Sequence, residues 1–241
     1  MNGINPWLLR QPDPLATARV FCIPYSGCGA AMYGSWPSGA GGVELVPVQL
    51  PGRENRMREK TPATYEELAA NLVAGLAPYF DRPYGFFGHC GSALAAYQAA
   101  VEAESTGLAA PGHLFVSSQV APQDGPAGRF LELDDDGLTA ELRVLIEERG
   151  GTPSPDVLEL ALEVLRADIE VNKRYVVPTP VRLTMPITTI GWSDDSEVRH
   201  DAMGGWDRCG DVDHHVLTGA HYRFLEGPPE LFGLFASRLG V

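Results

Sequence analysis

Positive charge is scarce in this sequence. Eighteen Lys and Arg stand against 31 Asp and Glu over 241 residues, a formal net charge of -13. A chain that coats DNA or RNA needs a basic footprint, so nucleic acid is excluded as a partner. Any acidic partner has to be met through a local basic patch. Cysteine is sparse as well. Cys22, Cys28, Cys90 and Cys209 form no CxxC pair, and no histidines cluster at zinc-ligand spacing, so no metal site is expected. The N-terminal stretch MNGINPWLLRQPDP holds no apolar run long enough for a signal peptide or a membrane span. The default expectation is therefore reduced cysteines in a cytoplasmic protein that stays off the membrane. No internal repeat or low-complexity linker divides the chain. Its length and 44% hydrophobic content suit one domain, residues 1–241, with a full core.

What is present alternates. Arg19–Ile23, Glu44–Leu50, Tyr84–Phe87, His113–Ser118 and Ile187–Ile190 read as strands, and His215–Leu217 as a shorter one. Pro47 implies a bend or an edge position in the second. Between them Leu68, Leu72, Leu76 and Phe80 mark one face of a helix over Tyr65–Phe80. Ala93–Glu104 and Pro229–Phe235 read as two more. Alternation of this kind predicts an α/β fold, a mostly parallel central sheet with helices on both faces. Residues 130–175 break the rhythm with amphipathic helical pattern only, and Ser154-Pro155 offers an N-cap and a proline at N1. A helical insertion between two sheet strands is commonly a lid over a site.

Gly88-His89-Cys90-Gly91-Ser92 sits where a strand meets a helix. That is the setting of the G-x-S-x-G nucleophile elbow, in which small neighbours permit a tight, strained turn that lifts a nucleophile into the pocket. Here Cys90 stands at the nucleophile position and Ser92 replaces the last glycine. The helix N-terminus beneath favours a thiolate or an oxyanion. An incidental core cysteine in an inactive fold is the plain alternative, but cysteine is among the few residues able to replace serine as an acyl acceptor. Chain order then requires an acid and a histidine downstream. His221, in Gly219-Ala220-His221-Tyr222 after the last strand, is the base. His89 abuts the nucleophile, with its side chain expected to point away from Cys90. The acid belongs in the loop after Ile187–Ile190, where Asp195 fits best and Asp194 is the runner-up. Backbone N–H groups of Gly91 and Ser26, the latter in the Gly-rich turn Pro24–Gly29, are the expected oxyanion donors. No Lys-Ser/Thr follows that turn, so it is not a phosphate cradle.

Together Phe21-Cys22-Ile23-Pro24-Tyr25-Ser26-Gly27, Gln49-Leu50-Pro51-Gly52-Arg53-Glu54, Phe87-Gly88-His89-Cys90 and Gly219-Ala220-His221-Tyr222-Arg223-Phe224 resemble the stand-alone type II thioesterases of polyketide and nonribosomal peptide assembly lines. The resemblance runs from about residue 19 to residue 235. It implies the α/β-hydrolase fold and an editing activity, hydrolysis of acyl groups from the phosphopantetheine arm of acyl or peptidyl carrier proteins. Phosphopantetheine would then belong to the partner, and no cofactor is held by the chain itself. The family's usual motif is G-H-S-M-G, from which Cys90, Gly91 and Ser92 depart. Acylation of a cysteine exchanges one thioester for another, nearly isoenergetic and reversible. Two alternatives to hydrolysis therefore stand: acyl or aminoacyl transfer from Cys90 to a second carrier thiol or an amine, and a catalytically silent carrier-binding module. Arg53, Arg56, Arg58 and Lys60 form a basic run on an acidic chain, a candidate docking patch for an acidic carrier.

Overall fold

The computed structural model describes residues 5–148 and 151–240. Residues 1–4, 149–150 and 241, which fall inside the expected domain and the expected helical insertion, lie outside the described residues. Seven strands form one sheet in the order β2-β3-β1-β4-β5-β6-β7. They are β1 (Ala18–Cys22), β2 (Gly39–Ala40), β3 (Val43–Pro47), β4 (Tyr84–His89), β5 (His113–Ser117), β6 (Pro186–Trp192) and β7 (Asp211–Leu217). Every pairing is parallel except β2 with β3. The helices are α1 (Tyr65–Leu76), α2 (Gly91–Ser105), α3 (Asp135–Glu148), α4 (Pro155–Arg174) and α5 (Pro229–Leu239).

β1 pairs with β3 on one side and β4 on the other. The chain thus builds outward in one direction and then returns to build in the other, and the loops after β1 and β4 meet at this switch point. Crevices at the carboxyl ends of strands at such points are where open α/β sheets bind ligands.

The central strands are buried on both faces, as parallel strands between helix layers must be. Phe21 and Phe86 pack into the layer with α1 and α2, while Val20, Phe87 and Phe115 face the layer of α5. Thr64 caps α1 by accepting from the N–H of Glu67, and the Glu67 carboxylate accepts from the N–H of Ala63. The expected helix to Phe80 stops at Leu76, where a tighter turn containing Pro78 takes over.

Between β5 and β6 the described residues hold a short 3-10 turn (Arg129–Glu132), α3 and α4, and no strand. Ser154 caps α4 and Pro155 opens it. β7 is four residues longer at its start than His215–Leu217. It is an edge strand, largely half or fully exposed, and its added residues Asp211–His214 are polar except for Val212, so they lack the apolar run by which a strand is read.

Candidate active site

The elbow is strained where it should be. Cys90 ends the turn from β4 into α2 at φ 55°, ψ -132°, a region that non-glycine residues seldom occupy and that must be held by its surroundings. The Cys90 N–H donates to the Ser117 carbonyl at 2.8 Å, pinning the turn to β5. A Cβ on Gly88 would lie 2.1 Å from the Ser92 carbonyl oxygen, so only glycine fits there. Ser92 is more than a small residue. Its Oγ accepts from the His89 N–H at 3.0 Å and reaches the His89 and Ile23 carbonyls at 2.9 and 3.3 Å, tying elbow to β1.

His221 opens a 3-10 turn after β7 and is 4% exposed. Its Nδ1 lies 2.9 Å from Asp195 Oδ2. Asp195 is buried, and its carboxylate also accepts from Ser118 Oγ at 2.7 Å and from the N–H groups of Glu197 and Val198 at 2.8 and 3.0 Å. Burial works against that carboxylate, yet the His221 bond and charge with these donors hold it well below the usual range. An ionised Asp195 accepts only, so the His221 Nδ1 carries a proton. Burial also works against a charged His221, but the bond to Asp195, the hydrogen bond to Cys90 and the charges of Cys90 and Glu197 outweigh it and push the imidazole up to about 10. The neighbouring Asp194 is exposed and takes its contact from Ser193 Oγ.

Two residues that sequence reasoning did not place in the site are there. Glu197 Oε2 stands 3.5 Å from Nε2 of His221, with its side chain 5% exposed and Arg129 on its other side. Burial raises this carboxyl, and His221 and Arg129 only partly oppose it. The only hint was its position in the acid loop, and nothing in the spacing says that Asp195-Ser196-Glu197 turns back on the ring. His89 is the second: its side chain, expected to turn away from Cys90, meets His221, Nε2 to Nε2 at 3.3 Å. His113, His200, His214 and His215 take no part in these contacts: His113 bonds Thr188 inside the sheet, and His214 and His215 pair with Asp207 and Asp213.

Ser26 and Gly91 are neighbours in the structure. A Cβ on Gly91 would lie 2.8 Å from Ser26 Oγ and 3.2 Å from Asn172 Nδ2. A narrow pocket, with room for little more than one water, lies here, lined by Cys90, Ser26, Phe130, Ile169, Asn172 and Glu197 among others, so α4 lies over Cys90. Among the described residues the buried Oδ1 of Asn172 has no hydrogen-bond partner.

The basic run is corrected. Arg53 is buried, bidentate on Asp168 of α4 at 2.7 and 2.8 Å, and bonded to the Cys28 carbonyl. Arg56 is buried too, held by Glu59 and the Gln49 carbonyl over the Trp7 ring. Both guanidinium groups are tied into the loop, and of the four cations Arg58 and Lys60 are the exposed ones.

The sequence profile of the Thioesterase domain matches residues 18–239. The chain belongs to the thioesterase-domain family. The gramicidin S biosynthesis protein GrsT of Aneurinibacillus migulanus is 30% identical, with 99% of this chain and 96% of that protein covered. The RedJ thioesterase of the prodiginine pathway in Streptomyces coelicolor superposes at a TM-score of 0.77, with 31% identity over 96% of this chain and 94% of that one. The type II thioesterase BorB of the borrelidin cluster gives 0.80, with 27% identity over 96% of each. The sheet and its helices are those of the α/β-hydrolase fold that these thioesterases share. Thioester hydrolysis is the activity this family membership carries.

Proposed function

We propose that this thioesterase removes acyl groups from the phosphopantetheine arm of carrier proteins through an acyl-enzyme on Cys90. His221 is the base, Asp195 orients it, and the N–H groups of Gly91 and Ser26 receive the oxyanion. The observation that carries the reading is the buried line from Asp195 through His221 to Cys90 at a strained strand-to-helix turn. The Cys90 sulfur attacks the thioester carbonyl, and the intermediate collapses with loss of the pantetheine thiol, protonated from His221. Water then attacks the acyl-Cys90, its proton passing to His221 and on to the departing sulfur. No cofactor of the enzyme's own enters these steps, because the arm arrives with the partner. The names of GrsT, RedJ and BorB, each tied to a biosynthetic pathway, support an assembly-line carrier as that partner.

Transfer is the second reading, and the nucleophile itself favours it. An acyl-Cys90 is a thioester of undiminished energy, able to pass to a second thiol or an amine. Nucleophile and base are 6% and 4% exposed, which limits water. Intact-protein mass spectrometry with an acyl-loaded carrier, with and without a second unloaded carrier, separates the outcomes. Loss of the acyl group to water supports the hydrolase, and its reappearance on the second carrier supports the transferase. An acyl group that never leaves the first carrier rejects both and leaves a binding module.

A further inference from the structure

His89 is fully buried beside His221, and the bonding of the Ser117 hydroxyl assigns its tautomer. Trp192 Nε1–H can only donate, and it donates to Ser117 Oγ at 3.1 Å. The Ser117 hydroxyl has one proton of its own to give. Among the described residues its remaining partner is His89 Nδ1, at 2.9 Å. His89 Nδ1 therefore accepts, and the ring carries its proton on Nε2. Burial, and then the His221 charge, keep His89 well below the ordinary histidine value, so it stays neutral. Stacked on Phe224 with ring centroids 3.9 Å apart, it holds its Nε2 3.3 Å from Nε2 of His221, where the N–H donates only once His221 has given up its own Nε2 proton.

We propose that His89 is a positioning residue whose Nε2–H holds the neutral form of His221 once Cys90 has been acylated. This rests on Cys90 and His221 acting as set out above. In the resting enzyme Nε2 of His221 faces Cys90 and the Glu197 carboxylate, and both favour the imidazolium, whose Nε2–H then meets the His89 N–H without a bond between the rings. Acylation converts the Cys90 sulfur into an uncharged thioester and removes its share of that pull. The next step needs a neutral His221, with a lone pair to take a proton from water. A donor aimed at that lone pair favours the neutral form, and His89 supplies one. At a 3.3 Å separation the bond that neutral His221 would accept is a long one, so water can displace it. The other groups around the pair do not do this. Asp195 holds Nδ1, and Arg129 stands behind Glu197. The phenols of Tyr25 and Tyr222 are pushed up by burial and stay neutral.

The test is the pH dependence of deacylation, measured in single turnovers from enzyme acylated at Cys90. His89→Phe keeps a ring against Phe224 and removes the N–H, whereas His89→Gln places an amide N–H near the same point. The rising limb of the deacylation rate should move up by about one pH unit in His89→Phe, a loss of about tenfold near neutrality, with KM unchanged. His89→Gln should return it towards the wild-type position. Nitrogen-15 NMR of labelled histidine in the resting protein should find His89 protonated at Nε2, and Ser117→Ala should mix the tautomers. A limb that stays put in folded His89→Phe, or a wild-type His89 protonated at Nδ1, overturns the proposal. If His89→Phe does not fold, the tautomer and the His89→Gln limb decide it. Absence of any Cys90 adduct in the wild type rejects the acyl-enzyme itself, and the proposal with it. An adduct with an unmoved limb rejects the proposal alone.

Discussion

Asp168 on α4 accepts a hydrogen bond from the backbone N–H of Gly27 at 2.8 Å, and the same carboxylate holds both arms of the Arg53 guanidinium. The covering helix and the loop that carries Ser26 are thus joined through one side chain. Ser26, one residue before Gly27, is where the second oxyanion donor is expected, so the pose of that loop depends on the pose of α4.

Replacing Asp168 with alanine should therefore act twice. It strands a guanidinium that is 5% exposed, and breaking a buried pair from one side costs about 3–5 kcal/mol. It also frees the Gly27 N–H and loosens the oxyanion loop, so kcat should fall about tenfold or more with little change in KM. Denaturant unfolding and steady-state kinetics on a small acyl thioester check the two effects. A stable, fully active variant would mean that α4 and the loop are positioned independently.

The nucleophile assignment predicts that Cys90→Ala abolishes turnover with the fold intact. It also predicts that iodoacetamide alkylates Cys90 at least tenfold more slowly in His221→Ala, because the imidazole no longer supports the thiolate. Burial pushes Cys209 up to about 12 and Cys22 higher still, so neither competes at neutral pH. Cys28 lies in the oxyanion loop and needs its own alanine control. Equal alkylation rates with and without His221 would remove it as the activator.

Much of this was legible because local chemistry and global fold agree. Gly88-His89-Cys90 reads as an elbow because the turn admits only small neighbours, and the buried strands read as apolar runs. Of the two loop acids Asp195 is the one that bonds His221, and its carboxylate also takes the N–H of Val198 as a turn bond. Glu197 and Asp168 were not legible. Their roles depend on which way a loop turns back and on how α4 lies across the sheet, and neither leaves a periodic mark. The Arg53 to Lys60 run misled for a related reason. Charge along a sequence does not say which cations are exposed, and Glu59 and Asp168 draw two of them inside.

Those burials change what a charge reversal should do. Arg56→Glu should lower stability, and it should impair a carrier-bound and a small pantetheine substrate alike, because it puts an anion against Glu59. Arg58→Glu and Lys60→Glu touch only exposed groups, so stability should hold within about 0.5 kcal/mol. If an acidic carrier docks there, these two alone should raise KM for the carrier substrate. They should also flatten its salt dependence, since exposed charges are screened over about 8 Å at physiological ionic strength. An Arg56→Glu effect confined to the carrier substrate would restore the docking patch in its four-residue form.

The imidazole of His221 supplies a pH test that needs no substrate. Folding raises it from 6.5 to about 10, because Asp195, Cys90 and Glu197 together outweigh the burial that lowers it. A group raised on folding takes up protons as the chain folds. Its contribution to stability is complete below about pH 6.5 and is lost as pH climbs through about 10. Asp195 runs the other way: its carboxyl is held below 3.8, so its contribution is complete above that value and is lost only in acid. Between pH 6 and pH 10 the Asp195 contribution is therefore constant, and the His221 contribution declines. Denaturant midpoints of the wild type and of His221→Phe should be widest apart near pH 6 and converge towards pH 10. In a Cys90→Ala background the convergence should begin at lower pH, since a hydrogen bond and a charge that hold the proton have gone. A gap that stays constant over the whole window would mean that His221 is already neutral in the folded protein, and that the thiol is activated without an ion pair.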